Sequence, residues 1–425
     1  MAGKGSNSVQ VRHYNERVVL ESIRKLTEAS KADVARYANL TPAAIAMIID
    51  ALESSGFIKQ IGKRFGQRGQ PSIMYRLVPE RAYSIGIRIG RRALDAVLVD
   101  FAGAIQAQES HEYAFPEPDH VRRSGNNAIK AFKDWLGKDL QSRLVGIGIA
   151  APYFLGGWGE ELGFPPELSS KWEEVDLPAL FANDDDIPVY IENDGSAAAL
   201  AELVGGNGAR FDDFMHISID TLIGGGLVQN GQLQTGPNGN TAALGPFPVS
   251  RSNLASVKAP PGPFDILLHR ASVYVLVDHL RASGVEVFRV RELDPPSPGS
   301  REPIAQWQAD CADAIAQAIV GIISIVDIEA VIIDSILPRI ILQDLVAGIQ
   351  SRLRDVVPVG LLVPEIIVGS VGRLGSAIGG AMLPIYARFA PDSSVLVKKS
   401  QLRKPLLVGS RTMNAAEIGR IAASK

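Results

Sequence analysis

The feature that most constrains this chain is a rhythm that begins after Pro79. Short apolar runs recur there: "YSIGIRIGRRALDAVLVDFAGAI", "LVGIGIAAPYF", "IPVYIEND", "FMHISIDTLIGGGLVQNGQLQTG" and "GRLGSAIGGAMLP". Between them lie stretches of helical period, Val121 to Leu140, Ser196 to Val204, Pro303 to Val326 and Leu342 to Leu353. Strand-like runs alternating with helices predict an α/β fold. One run, "IPVYIEND", ends on Glu192, Asn193 and Asp194 directly before a small, helix-favouring segment. A side chain at the carboxyl end of a strand faces the crevice where such folds bind ligands, which makes Asn193 and Asp194 candidate site residues. The competing reading is that Asp194 or Ser196 caps the helix by accepting a free backbone N–H.

The first 80 residues have a different character. They carry 12 Lys/Arg against 7 Asp/Glu, a balance of +5, whereas the remainder carries 31 against 39, or −8, for a total of −3. A basic head on an acidic body suits a nucleic-acid contact confined to the head. From Asn15, the positions Val18, Val19, Leu20, Ile23 and Leu26 fit an amphipathic helix, and "KADVARYA" gives a second, short one. A third opens with Thr41 as cap and Pro42 at the first helical position, buries Ile45, Ile48, Ile49 and Leu52 on one face, and stops at Gly56. These are the parts of a helix-turn-helix. The next stretch, "FIKQIGKRFGQRGQPSIMYRLVPE", reads as a β-hairpin whose tip holds Lys63, Arg64, Gln67, Arg68 and Gln70, a wing able to follow phosphate or enter the minor groove. Thr41, Ala43, Ala44 and Met47 lead the third helix and are expected at base edges of double-stranded DNA, with Arg64 and Arg68 on phosphate or in the minor groove.

Composition excludes several classes. No apolar run approaches the roughly 18 residues of a membrane span and no signal-peptide core opens the chain, so a cytoplasmic protein without a membrane partner is expected. Cys311 is the single cysteine, which rules out an internal disulfide and a cysteine-based zinc cluster within one chain. The six histidines lack ligand-like spacing and read as surface or packed residues, so no metal is expected.

In order and spacing, these blocks, with the helix-turn-helix and its opening "RHYNERVVLESI" ahead of them, resemble the ROK family of bacterial sugar kinases and sugar-responsive repressors over roughly residues 11 to 390. The resemblance implies an N-terminal winged helix-turn-helix (1–80) followed by a two-lobed actin/hexokinase-like, ribonuclease H-like ATPase fold (81–390) with a sugar cleft between the lobes. Residues 391–425 form an extension outside it, with a strand-pair pattern in "LVKKSQLRKPLLVGS" and a short helical one in "NAAEIGRIAASK". In family kinases the pair matching Asn193 and Asp194 holds sugar hydroxyls, and the aspartate is the general base. The rest of the machinery departs from the pattern. The family's Asp-x-Gly-Gly-Thr turn is Arg88 to Arg92 here, with arginine in place of the acid. Its Gly-Thr-Gly-x-Gly-Gly loop becomes Asp220 to Gly225, which puts a carboxylate and Leu222 where phosphate lies; Gly224 to Gly226 read as shaping a strand pair. The sugar-binding glutamate and histidine are replaced by Ala243 and Pro246, a further glutamate falls near Leu268, and the zinc-binding cysteine run is replaced by "FPVSRSNLASVKAPPGPFDIL". Phosphoryl transfer depends on positioning and charge neutralisation, so the expectation is a regulator with a pseudokinase body, no catalytic residue and no cofactor. Its expected partners are operator DNA, a small effector (a sugar, polyol or acidic derivative held by Asn193, Asp194, Arg88 and Arg91) and a second copy in a homodimer or dimer of dimers. The alternatives are an active sugar kinase with an unorthodox phosphate site and a dimeric repressor that needs no ligand.

Overall fold

The computed structural model describes residues 8–65, 71–181, 187–287 and 289–391. The N-terminal unit runs α1 (Ser8–Leu26), β1 (Ala29–Ser30), α2 (Lys31–Ala38), α3 (Pro42–Ser54), β2 (Ile58–Arg64) and β3 (Ser72–Leu77). Local chemistry sets the two short helices. Ser30 and Asp33 make a capping box at the start of α2, and Asn39 closes it in the left-handed conformation. Thr41 Oγ1 accepts the Ala44 N–H at the start of α3, and Ile45, Ile48, Ile49 and Leu52 are buried as their spacing predicts. The first helix begins at Ser8, earlier than the expected Asn15; its first two turns leave Val9 and Val11 exposed and carry no helical apolar stripe for the sequence reading to find. The two-residue β1, absent from the sequence expectation, pairs with β3 to give a sheet in the order β1-β3-β2.

The first lobe comprises β4 (Tyr83–Ile89), β5 (Ala93–Asp100), β6 (Ile105–Glu112), α4 (Pro118–Gln141), β7 (Leu144–Ala151), α5 (Pro166–Glu173), α6 (Leu177–Leu180) and β8 (Val189–Asn193). Its sheet has the order β6-β5-β4-β7-β8. After α7 (Asp194–Gly205), the second lobe comprises β9 (Phe214–Ile219), β10 (Ile223–Gln229), β11 (Gln232–Gln234), β12 (Pro248–Val249), β13 (Asp265–Ile266), α8 (Leu268–Ala271), α9 (Val273–Ala282), α10 (Pro298–Ile323), β14 (Ala330–Ser335), α11 (Arg339–Val356) and β15 (Glu365–Val368). Its sheet has the order β11-β10-β9-β14-β15. In both lobes a parallel strand follows an antiparallel meander, so the body is an α/β fold of two similar halves.

The last described helix, α12 (Gly375–Phe389), corrects an expectation: "GRLGSAIGGAMLP" reads as strand-like but is largely helical. Gly and Ala fill either period, and close approach decides the outcome. A Cβ added at Gly379 would stand 1.6 Å from the Ala197 carbonyl oxygen of α7, and one at Gly148 would stand 1.8 Å from that of Gly380. Helix α12 lies on β4, β5, β7 and β8, α7 lies on β9, β10 and β11, and the two helices meet each other between the sheets. One apolar cluster joins this seam to the N-terminal unit, running from Val19, Ile23 and Ile49 through Val97 and Phe101 to Leu200 and Leu383. Among the described residues no helix is long and apolar enough to cross a membrane. The patterns noted within 391–425 lie outside the described residues beyond Pro391.

Candidate functional site

The cleft is built from strand ends. Asn193 closes β8 and is itself the cap of α7, its Oδ1 accepting from the N–H groups of Gly195 (3.0 Å) and Ser196 (3.4 Å). This corrects the expectation that Asp194 or Ser196 caps. Among the described residues the Ser196 hydroxyl is buried without a partner, and Asp194 accepts the Gly195 N–H at 2.9 Å. Burial raises the Asp194 carboxyl above its ordinary range and Asp220 pushes the same way, while Arg88 and Arg91 oppose the shift. Burial also pushes Glu192, one residue earlier, up to about 7.

Arg88 is the penultimate residue of β4 and faces Asp95 of β5 directly across the hairpin. Its guanidinium donates to Asp95 at 3.1 Å and, across the cleft, to the Asp220 carboxylate of the second lobe. Burial works against the charge on Arg88, but Asp220, Asp95 and Asp194 more than offset it and hold the guanidinium firmly protonated. Asp95, fully buried, also accepts from Ser110 at 2.7 Å and from Arg373, ahead of α12, at 2.5 Å. The charges therefore form one chain, Arg373–Asp95–Arg88–Asp220, that joins the lobes. Asp95 and Arg373 escaped the sequence reading, although the three-residue turn between β4 and β5 already sets Arg88 opposite Asp95. Leu222, two residues beyond Asp220, packs against the cores of both lobes.

Arg91 is committed elsewhere. Its guanidinium donates to the carbonyls of Phe154, Leu155 and Gly157 at 3.2, 2.9 and 2.7 Å, and burial lowers its pKa to about 10. It braces a loop of the first lobe and stays charged at neutral pH. Gly226 and Gly195 allow β10 and the start of α7 to approach: a Cβ at Gly226 would stand 2.7 Å from the Gly195 carbonyl oxygen, and one at Gly195 would stand 2.4 Å from that of Gly225. Ala243 and Pro246 are exposed, while Leu268 is buried. The cysteine-free stretch before α8 is held by a buried ion pair. Arg270 donates to both Asp310 oxygens at 2.8 and 3.0 Å and to Ser250, and Asp310 also accepts from Ser252 and Asn253. The histidines are engaged singly, as in His216 with Asp334 and His279 with Ser256 and Gln306. Among the described residues, no group of three or more His, Cys, Asp or Glu side chains is arranged to hold a metal.

On the N-terminal unit, Thr41, Ala43 and Met47 are exposed at the start of α3, Met47 by 73%, and Ala44 is half-buried. Arg64 is exposed at the end of β2 but pairs with Asp33 of α2 at 2.7 Å. Gln67, Arg68 and Gln70 lie outside the described residues.

Two lobes, each a meander followed by parallel strands, with a cleft at the strand ends, define an actin/hexokinase-like body behind a helical N-terminal unit. Residues 84–258 match the sequence model of the ROK family. It is 26% identical to the uncharacterized protein y4fQ of Sinorhizobium fredii over 88% of this chain and 91% of that protein. It is also 26% identical to the xylose repressor of Bacillus spizizenii, the match covering 55% of this chain and 60% of the repressor. The fold is that of a crystallised ROK family transcriptional regulator, a homolog of the E. coli MLC protein, with a TM-score of 0.61 at 20% identity over 89% of this chain and 97% of that one.

Proposed function

We propose that this chain is a DNA-binding transcriptional regulator of repressor type. In this reading residues 1–80 are a winged helix-turn-helix that binds an operator, and residues 81–390 are a pseudokinase body that senses a small molecule. The carrying observation is the leading face of α3: an otherwise apolar helix leaves Thr41, Ala43 and Met47 in solvent, where a major groove would meet them. Likeness to the xylose repressor supports a sugar or related polyol as effector, with Asp194 as its main polar contact. Asn193 positions α7 and Arg88 sets the local charge. A two-fold homodimer fits an operator of paired half-sites.

Two features favour sensing over phosphoryl transfer. The segments that match the family kinases' two phosphate turns are here tied to each other by the Arg88–Asp220 pair, with Leu222 packed beside it, and a single lost charge contact costs on the order of 100-fold or more in rate. The test is in-vitro selection of duplexes by the full-length chain, run beside titration with Mg-ATP and a coupled kinase assay on a sugar panel. Enrichment of one duplex family, with no ATP binding, is expected. Failure to enrich any duplex, or sugar phosphorylation abolished by Asp194→Ala, would overturn the assignment.

A further inference from the structure

We propose that the last turn of α1 transmits the relative position of the two lobes to the DNA-contacting helices, because its adjacent residues Arg24 and Lys25 are fastened to different lobes and lead to different helices. The proposal rests on the regulator reading above. Arg24, its side chain 6% exposed, donates to the Phe101 carbonyl at 2.7 Å and lies over the Phe101 ring. Phe101 directly follows β5 in the first lobe. Its ring packs on Phe57 at 5.7 Å and on Phe389 at 4.9 Å. Phe57 sits just past α3, where its N–H donates to the Leu52 carbonyl at 2.9 Å. The first lobe is thus continuous with the end of α3.

Lys25 leads the other way. Its ammonium pairs at 3.4 Å with Asp212, which precedes β9 of the second lobe, and lies 5.9 Å from the ring centroid of Tyr37 on α2. The second lobe is thus linked to α2. Helices α2 and α3 are joined to each other by Asn39 at the turn and by a 2.7 Å ion pair between Lys31 and Asp50. Because packed interiors shift between discrete arrangements and do not stretch, a displacement of one lobe against the other either breaks an α1 contact or turns α2 relative to α3. The seam between the lobes is the α7–α12 contact, and α7 starts at Asp194 in the cleft. On the cleft side the Arg88–Asp220 pair ties the lobes, so its removal is the lever for an experiment that needs no identified effector.

The experiment is a double-mutant cycle in the full-length chain, with Asp220→Asn as the lever and Lys25→Ala as the break. Asp212→Ala, at a position 70% exposed, removes the same contact without disturbing the core. Two quantities are read: hydrogen exchange of the α2 and α3 amides, and affinity for the duplex selected in vitro. Asp220→Asn is expected to change both by about threefold or more, and to change neither in the Lys25→Ala or Asp212→Ala backgrounds. Equal effects in all three backgrounds, or no effect of Asp220→Asn on α2 exchange, would sink the proposal. If no duplex is selected, the regulator reading fails, while the exchange cycle still decides whether α1 links the lobes to α2.

Discussion

Glu192 is 5% exposed and precedes the Asn193 cap, whose own N–H donates to it at 2.8 Å. Burial dominates over that hydrogen bond and moves the carboxyl from an ordinary 4.5 up to about 7. The folded chain therefore keeps a proton that the unfolded chain releases over this interval. The resulting stability is fully present below pH 4.5 and is lost as pH rises through 7, to a total of about 3 kcal/mol. Glu192→Gln is expected to flatten this dependence and to leave the variant more stable than the parent at pH 8. Urea midpoints at pH 5 and pH 8 check it, and parallel pH profiles for the two proteins would refute it. Arg88 and Asp220 teach a related lesson. Taken alone, each looks like damage to a phosphate site, the first by losing an acid and the second by gaining one. Paired, they neutralise each other across the cleft.

At the scale of elements, close approach governs the seam. Helix α12 meets α7 through glycine, and a Cβ at Gly379 would fall 1.6 Å from the Ala197 carbonyl oxygen. Gly379→Ala is thus expected to push two helices apart and to cost about 3 kcal/mol or more, read as a lowered Tm or as insoluble protein. Gly299, in the first turn of α10, has nothing within 4 Å of an added Cβ. There the same change should be neutral or stabilise by up to about 1 kcal/mol, because alanine narrows the unfolded ensemble. Equal losses at both positions would contradict the packing argument. The short helices α2 and α3 were legible in the sequence because caps and apolar spacing act within one turn. The helical state of α12 was not, since its small residues are explained by neighbours more than 170 residues away in the chain.

For the whole molecule, a basic head on an acidic body implies DNA binding that weakens steeply with salt, since phosphate contacts release counterions. Arg64, proposed above as a contact of the wing, also pairs with Asp33 at the start of α2. Arg64→Ala is expected to weaken binding to every duplex and to reduce the slope of log affinity against log salt by about one. Fluorescence anisotropy over a salt series measures this, and an unchanged slope would remove Arg64 from the interface. The lobes and the head share one apolar cluster.

By itself the sequence determined the α/β rhythm of the body, the Thr41 cap of α3, the basic head and the placing of Asn193 and Asp194 at a strand–helix seam. All of these arise from residues close together in the chain, where periodicity, capping and composition act. Only the tertiary structure decided that Asn193 is the cap, that Arg91 braces a loop, that Arg88 reaches Asp220 in the other lobe, and that Arg24 and Lys25 fasten α1 to both lobes. The physical reason is that a buried charge or a glycine contact is settled by whichever group lies within a few ångströms, and a linear pattern does not encode which distant segment that will be.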